Sequence, residues 1–415
     1  MHSTDRDDAP AAPTTTPPAG PRAAWEVATV FLRLGCLSFG GPIAHLGFFR
    51  AEFVERRRWI DDARFGDLVA LCQFLPGPAS SQVAFALGMH RAGFVGAVLA
   101  SIAFLLPSAV LMIAFAYGIA AVGDLASAGW IHGLKLGAVA VVAQAVWGMG
   151  RNLCPDRARV SVALAAAALL LAVPSSLVQV AVIVAGAVLG AWRYREAVPQ
   201  VAPPPVPAPH GHHLVAGAAL VAFVALFLAL PALAASTRSR PVAVADAFYR
   251  SGALVFGGGH VVLPMLRAEV VPAGWVADEQ FLAGYGAAQA LPGPLFAFAG
   301  YLGAAMGDGP DRWLGGVGCL VAIFLPAWLL VGGALPFWHG LRARRGVQAA
   351  LAGANAAVVG VLLAALYRPV VTESVHAPTD VAAVLMAFGL LQTWRCPAWL
   401  VVLFMAAVGP LLRGG

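Results

Sequence analysis

The chain is a succession of apolar stretches separated by short polar breaks. In the first half they cover residues 25–41, 65–89, 94–122, 130–150, 160–173 and 176–192. An uninterrupted stretch follows at 214–235, long enough to cross a bilayer alone. Six more then cover 242–258, 281–306, 313–335, 347–367, 381–392 and 397–412. Neither the period of two of a half-buried strand nor a polar helix face recurs, so these stretches predict helices that meet lipid or one another. The expected fold class is an all-α polytopic membrane protein.

The second set of six repeats the first in detail. Phe31-Leu32-Arg33-Leu34-Gly35 followed by Phe39-Gly40-Gly41 matches Phe248-Tyr249-Arg250-Ser251-Gly252 followed by Phe256-Gly257-Gly258. Trp59-Ile60 matches Trp275-Val276, and Gln73-Phe74-Leu75-Pro76-Gly77-Pro78 matches Gln289-Ala290-Leu291-Pro292-Gly293-Pro294. Phe104-Leu105-Leu106-Pro107 matches Ile323-Phe324-Leu325-Pro326. Similar residues in the same order at nearly constant offset mean an internal duplication. The organisation reads as a disordered tail over 1–23, a first repeat over 24–195, a Pro-rich linker with the extra helix over 196–240, and a second repeat over 241–412.

Charge sets the sense of the two repeats. The loop after the first segment carries Arg50, Arg56, Arg57, Arg58 and Arg64, and its counterpart only Arg267. The loop after 94–122 has no basic residue, whereas its counterpart has Arg342, Arg344 and Arg345. Arg151, Arg157 and Arg159 stand against Arg368 alone. Every comparison flips, so by the positive-inside rule equivalent loops lie on opposite sides and the repeats are inverted. For all the first-half arginine loops to share one side, 25–41 and 65–89 must be re-entrant or broken, although full spans with a weak charge bias also fit.

Composition agrees: 60% of residues are hydrophobic and 11% charged, where a soluble domain is about a quarter charged. Lys135 is the only lysine, and the net charge of +6 sits in loops as a topology signal, not a nucleic-acid footprint. The five cysteines show neither CxxC pairing nor histidines at metal-ligand spacing. Residues 1–23 lack a secretory h-region, and there is no Walker A motif, catalytic triad or zinc constellation. No enzyme, cofactor or metal is expected.

The candidate chemistry lies in the breaks. Pro76-Gly77-Pro78 and Pro292-Gly293-Pro294 remove two amide donors apiece and cannot continue a regular helix. Such breaks persist at membrane depth only inside protein or along a watery cavity. Each is either a plain proline kink or a half-helix end whose amides face an anion, and two copies in inverted repeats favour the second. Gly40-Gly41 and Gly257-Gly258 offer further backbone donors, or simply tight packing. Arg33 and Arg250 precede these glycines inside apolar runs, as an oxyanion fork or as snorkelling side chains. Gln73 and Gln289 are neutral donors beside the breaks, or interhelical glue. His45, His90 and His260 have the chemistry to couple protons, while Glu26, Asp67 and Asp246 lie near segment ends, giving a carboxylate relay little support.

Phe39-Gly40-Gly41-Pro42, Arg56-Arg57-Arg58-Trp59-Ile60-Asp61, Leu71 to Pro78, Phe256 to Pro264 and Gly274-Trp275-Val276 together resemble the chromate ion transporter family, from about Trp25 to Leu412. The resemblance implies a multi-pass protein of the bacterial inner membrane that exports chromate, a dianion of sulfate's shape and charge. The partners so implied are a chromate- or sulfate-like dianion and membrane lipid, with a homodimer admitted and no nucleic acid. Transport of sulfate or another anion, and a passive anion channel on the same scaffold, remain open as alternatives.

Overall fold

The computed structural model describes residues 20–39, 41–122, 129–173, 175–194, 213–255, 261–307, 309–338 and 344–413. Residues 1–19 of the expected tail, most of the Pro-rich linker, Gly40, and Phe256 to His260 lie outside them. Among the described residues the protein is helical, and five helices are long and apolar enough to cross a membrane.

The first repeat opens with α1 (Pro21–Leu37), which begins on a proline, a residue pre-set for the first turn. After Ser38 the chain reverses into α2 (Gly41–Phe49), extended by π-helical turns over Arg50–Arg56. Helix α3 (Asp62–Phe74) starts where the Asp61 carboxylate accepts the Arg64 amide at 2.9 Å and ends at Leu75, the residue before Pro76. Helix α4 (Ala79–Val122) is two arms, 79–91 (α4a) and 94–122 (α4b), folded back on each other where Ala92 and Gly93 leave helical geometry.

The charge argument for re-entrant segments is realised in these short helices. By rise per residue α1 and α3 are about 25 and 20 Å long, below the ~30 Å of a hydrocarbon core. Their ends are tied together: Glu26 near the start of α1 pairs with Arg57 after α2 (2.7 Å) and with Arg91 at the end of α4a (2.9 Å). His90 Nε2 lies 3.1 Å from the Trp59 carbonyl oxygen, and Arg57 and Arg91 both stack on the Trp59 ring. Both hairpins therefore enter and leave at one arginine-rich end. The stretch from Gly41 to Arg56, read from sequence as loop, is the returning helix.

Three helices complete the repeat: α5 (Gly129–Leu153), α6 (Arg157–Ala172) and α7 (Ser176–Arg193). Helix α8 (His213–Thr237) crosses at the periphery, packs on α9 and α13 of the second repeat, and is mostly exposed. The second repeat then follows the same plan with α9 (Arg240–Ala253), α10 (Val262–Val270), α11 (Asp278–Ala290) and α12 (Phe298–Ala305). It ends with α13 (Arg312–Ala334), α14 (Arg345–Ala365), α15 (Pro378–Gln392) and α16 (Ala398–Arg413). Equivalent details recur. Arg50 Nε donates to Asp62 at 2.8 Å and Arg267 Nε to Asp278 at 2.7 Å; the Trp59 amide reaches the Phe53 carbonyl, and that of Trp275 the Val270 carbonyl.

The repeats are intertwined. Helices α6 and α7 of the first pack on α14 of the second, and α15 and α16 of the second pack on α5 of the first. The seams run on small residues, because helices in lipid gain association from close van der Waals contact. A methyl group on Gly186 would lie 2.7 Å from the Gly353 carbonyl oxygen, and Gly190 and Ala349 approach as closely. We expect Gly353→Val to destabilise the purified protein by about 1–3 kcal/mol, the usual cost of overpacking. The midpoint of detergent-solubilised thermal unfolding should fall, and an unchanged midpoint would reject this seam.

Candidate functional site

Each proline–glycine break meets the chain just beyond the first helix of the opposite repeat, at Ser38 and at Val255. Ser38 caps α1, its amide returning to the Leu34 carbonyl at 2.8 Å, and its own carbonyl points onward. That carbonyl accepts the Gly293 amide at 2.8 Å. Reciprocally, the Val255 carbonyl beyond α9 accepts the Gly77 amide at 2.7 Å. Ser38 and Val255 are equivalent positions, each just before the phenylalanine of the glycine motif, and Gly77 and Gly293 are equivalent as well. The contact is therefore made twice across an internal two-fold.

Glycine is required at both places. Gly77 has φ +124° and Gly293 φ +95°, the region that L side chains avoid. A Cβ on Gly77 would lie 2.9 Å from Gln82 Nε2 and 3.0 Å from the Ala327 methyl, and one on Gly293 2.8 Å from Ser108 Oγ. Ser108 and Ala327 are again equivalent, each following the proline of α4b or α13. Each break thus rests on the long helix of the other repeat, and Gln82 braces the first break by donating to the Pro76 carbonyl at 2.8 Å.

This geometry corrects one expectation. The amides at the breaks are expected to face an anion, but those of Gly77 and Gly293 both donate to protein carbonyls, and Pro76, Pro78, Pro292 and Pro294 have no amide to give. Donors that remain at the first break are the opening amides of α4, from Ala79 to Ser81, which precede the first internal bond, from Gln82 to the Pro78 carbonyl. Gly41 starts α2 with φ +78°, half-buried; Gly40, Gly257 and Gly258 lie outside the described residues.

The paired arginines and glutamines differ between repeats. Arg250 grips Asp246 with two bonds, Nε to Oδ1 at 2.8 Å and Nη2 to Oδ2 at 2.7 Å, with Glu269 at 3.6 Å. Arg33 is exposed and makes no ion pair among the described residues. Thr29 stands at the position of Asp246, and Glu52, at that of Glu269, is held by Arg56 (2.9 Å) and Arg57 (2.6 Å). The structure therefore offers one available guanidinium where two were expected. Gln73 is exposed, whereas Gln289 is half-buried, its amide nitrogen buried and without an acceptor among the described residues.

The chromate transporter family profile matches residues 25–191 and again 242–410, the two repeats just described. The chain belongs to the chromate transporter family. It is 31% identical to the chromate transport protein of Pseudomonas aeruginosa over 91% of this chain and 89% of that one. It is 29% identical to the probable chromate transport protein of Synechococcus elongatus over 81% of this chain and 84% of that one. It is also 27% identical to the chromate transport protein of Cupriavidus metallidurans over 94% of each chain. No solved structure matches the chain.

This chromate transporter family member also buries polar groups that sequence reading passed over. His132 of α5 meets Asp380 of α15 at 2.7 Å, both buried, and Asp380 further accepts the His376 and Ala377 amides at 2.9 and 3.1 Å. The partners lie far apart in sequence and share no local spacing, so no motif could pair them. Lys135, buried within α5, was detectable as a lone cation inside an apolar run, the pattern that marks functional positions in membrane helices. His45 is buried with Nε2 3.0 Å from the Ser38 carbonyl oxygen, so this oxygen accepts from both repeats.

Because each crossing needs φ > 0 and an amide, Gly77→Ala and Gly293→Ala should each destabilise the protein by about 1–3 kcal/mol through strain at that backbone region. Thermal unfolding of the purified variants tests this, and a variant as stable as wild type would remove that crossing from the structural account.

Proposed function

We propose that the protein is a secondary transporter of the inner membrane that carries chromate out of the cytoplasm, with the substrate held where the two repeats cross. The single observation that supports this reading most is the reciprocal crossing, since it puts half-helix ends from inverted repeats side by side within the protein, the arrangement that serves anion binding in transporters of this build. In this reading Arg33, the opening amides of α4, Gln73 and the free amide nitrogen of Gln289 supply donors. Pro76-Gly77-Pro78 and Pro292-Gly293-Pro294 fix the geometry. Arg250 joins once its carboxylates release it. A dianion loses much hydration on entry, so donors from both repeats are needed. An inside-negative potential favours its exit by about 2.3 kcal/mol per charge per 100 mV, so outward transport needs no further driving ion.

Everted vesicles containing the protein should accumulate chromate with saturation, and more when the lumen is made positive. Arg33→Ala should lower uptake at subsaturating chromate at least about tenfold, the weight of a hydrogen bond to a charged group. Uptake no greater than in vesicles without the protein would reject chromate transport, and linear, non-saturating uptake would favour a channel. Competition by sulfate at equal concentration would shift the substrate reading to a broader anion carrier.

A further inference from the structure

Equivalent positions of the two repeats differ in exposure deep within the helices. Arg33 lies seven residues beyond Glu26, and Cys36 ten, so they sit about 10 and 15 Å past the charged layer that Glu26 forms with Arg57 and Arg91. Gln73 lies eleven residues into α3, about 16 Å from Asp62. Arg33, Cys36 and Gln73 are all exposed. In the second repeat Ala253, the counterpart of Cys36, is 2% exposed, and Arg250 and Gln289 are half-buried.

Helix α7 makes the difference at Arg250. Its Gln179 and Val180 close over α9 and α10, leaving a cavity of about 30 Å³, the size of a single water, against Arg250, Ser251 and Glu269. The counterpart of α7 is α16. It reaches the turn after α1 with Trp399, whose ring lies 5.3 Å from Phe39, while Leu400, Leu403 and Phe404 remain exposed. An arginine and a glutamine exposed at this depth would be costly against hydrocarbon, so the space before them holds water.

We propose that the first repeat opens a water-filled vestibule toward the arginine-rich end, where Arg33 draws in small oxyanions, while α7 seals the equivalent space in the second repeat. The proposal rests on the transporter reading above. It assigns this structure to one half of a cycle in which α16 closes on α1 as α7 leaves α9, so the repeats exchange arrangements across the two-fold. It also gives Arg33 and Arg250 the same task at different times.

Cys36, three residues from Arg33 on the same helix face, is a native reporter. Methanethiosulfonate reagents bearing a sulfonate or an ammonium group are applied to everted vesicles of the unsubstituted protein, and modification is read by peptide mass spectrometry. With rates normalised to a free thiol, the anionic reagent should modify Cys36 at least about fivefold faster than the cationic one, and Arg33→Ala should abolish that preference. Ala253→Cys should resist both reagents from this face.

Modification of Cys36 by a membrane-soluble maleimide alone would mean that the face meets lipid, and no modification at all would mean that it is covered. Either result overturns the vestibule, as does equal modification of Ala253→Cys from the same face. A charge preference that survives Arg33→Ala overturns the role of Arg33. No chromate enters this experiment, so sided, charge-selective modification without chromate uptake would leave the vestibule standing and reject the substrate reading instead.

Discussion

The structure turns on one hydrogen bond made twice. A Pro-Gly-Pro break in a membrane strips the chain of two amides and leaves the glycine amide without a helical acceptor, a group costing several kcal/mol if left bare in hydrocarbon. The end of α1 and the end of α9 have the complementary problem, a carbonyl with no helix beyond it. Gly77 to Val255 and Gly293 to Ser38 solve both at once, and each solution needs a partner from the other repeat. Neither break is satisfied within its own half, so the duplication is a structural requirement at this point.

The exchange of helices has the same logic. Once each break is carried on the long helix of the opposite repeat, beside Ser108 or Ala327, the remaining helices follow: α7 lies along α14 and α16 along α5. A rigid boundary between the halves does not exist. Relative motion therefore has to occur along the small-residue seams, where glycine backbones slide without interlocking side chains. The hydrogen-bonded crossings at the centre are the natural fixed point.

What could be read in the sequence was what depends on local composition and repetition. Duplication showed in the paired Gln-x-Leu-Pro-Gly-Pro strings, inversion in the placement of arginines, and the re-entrant hairpins in the need to keep Arg50 to Arg64 beside Arg151 to Arg159. The return helices α2 and α10 escaped because each is nine residues long and runs into charged turns, too short for a periodic signal. The partners of the break amides could not be foreseen, since a backbone carbonyl carries no side-chain signature. The two arginines looked equivalent because their flanking motifs match. One difference between them, Asp246 against Thr29 one helical turn before the arginine, was legible in the sequence. The other, Glu269 beside Arg250 where Glu52 is held by Arg56 and Arg57, appears only when the helices are assembled.

That divergence has a physical consequence for any oxyanion that passes. Arg250 carries its own competitors: Asp246 grips it in a bidentate pair and Glu269 stands at 3.6 Å. Among the described residues Arg33 has no such neighbour, and Glu52 is already neutralised by Arg56 and Arg57. An anion arriving at Arg33 replaces water, whereas an anion held at Arg250 must compete with carboxylates tethered one helical turn away at high effective concentration. In the proposed site, binding is thereby favoured on the arginine-rich side and release on the other. Under the proposed direction of transport, this asymmetry biases the cycle without a change in the symmetric crossings at its centre.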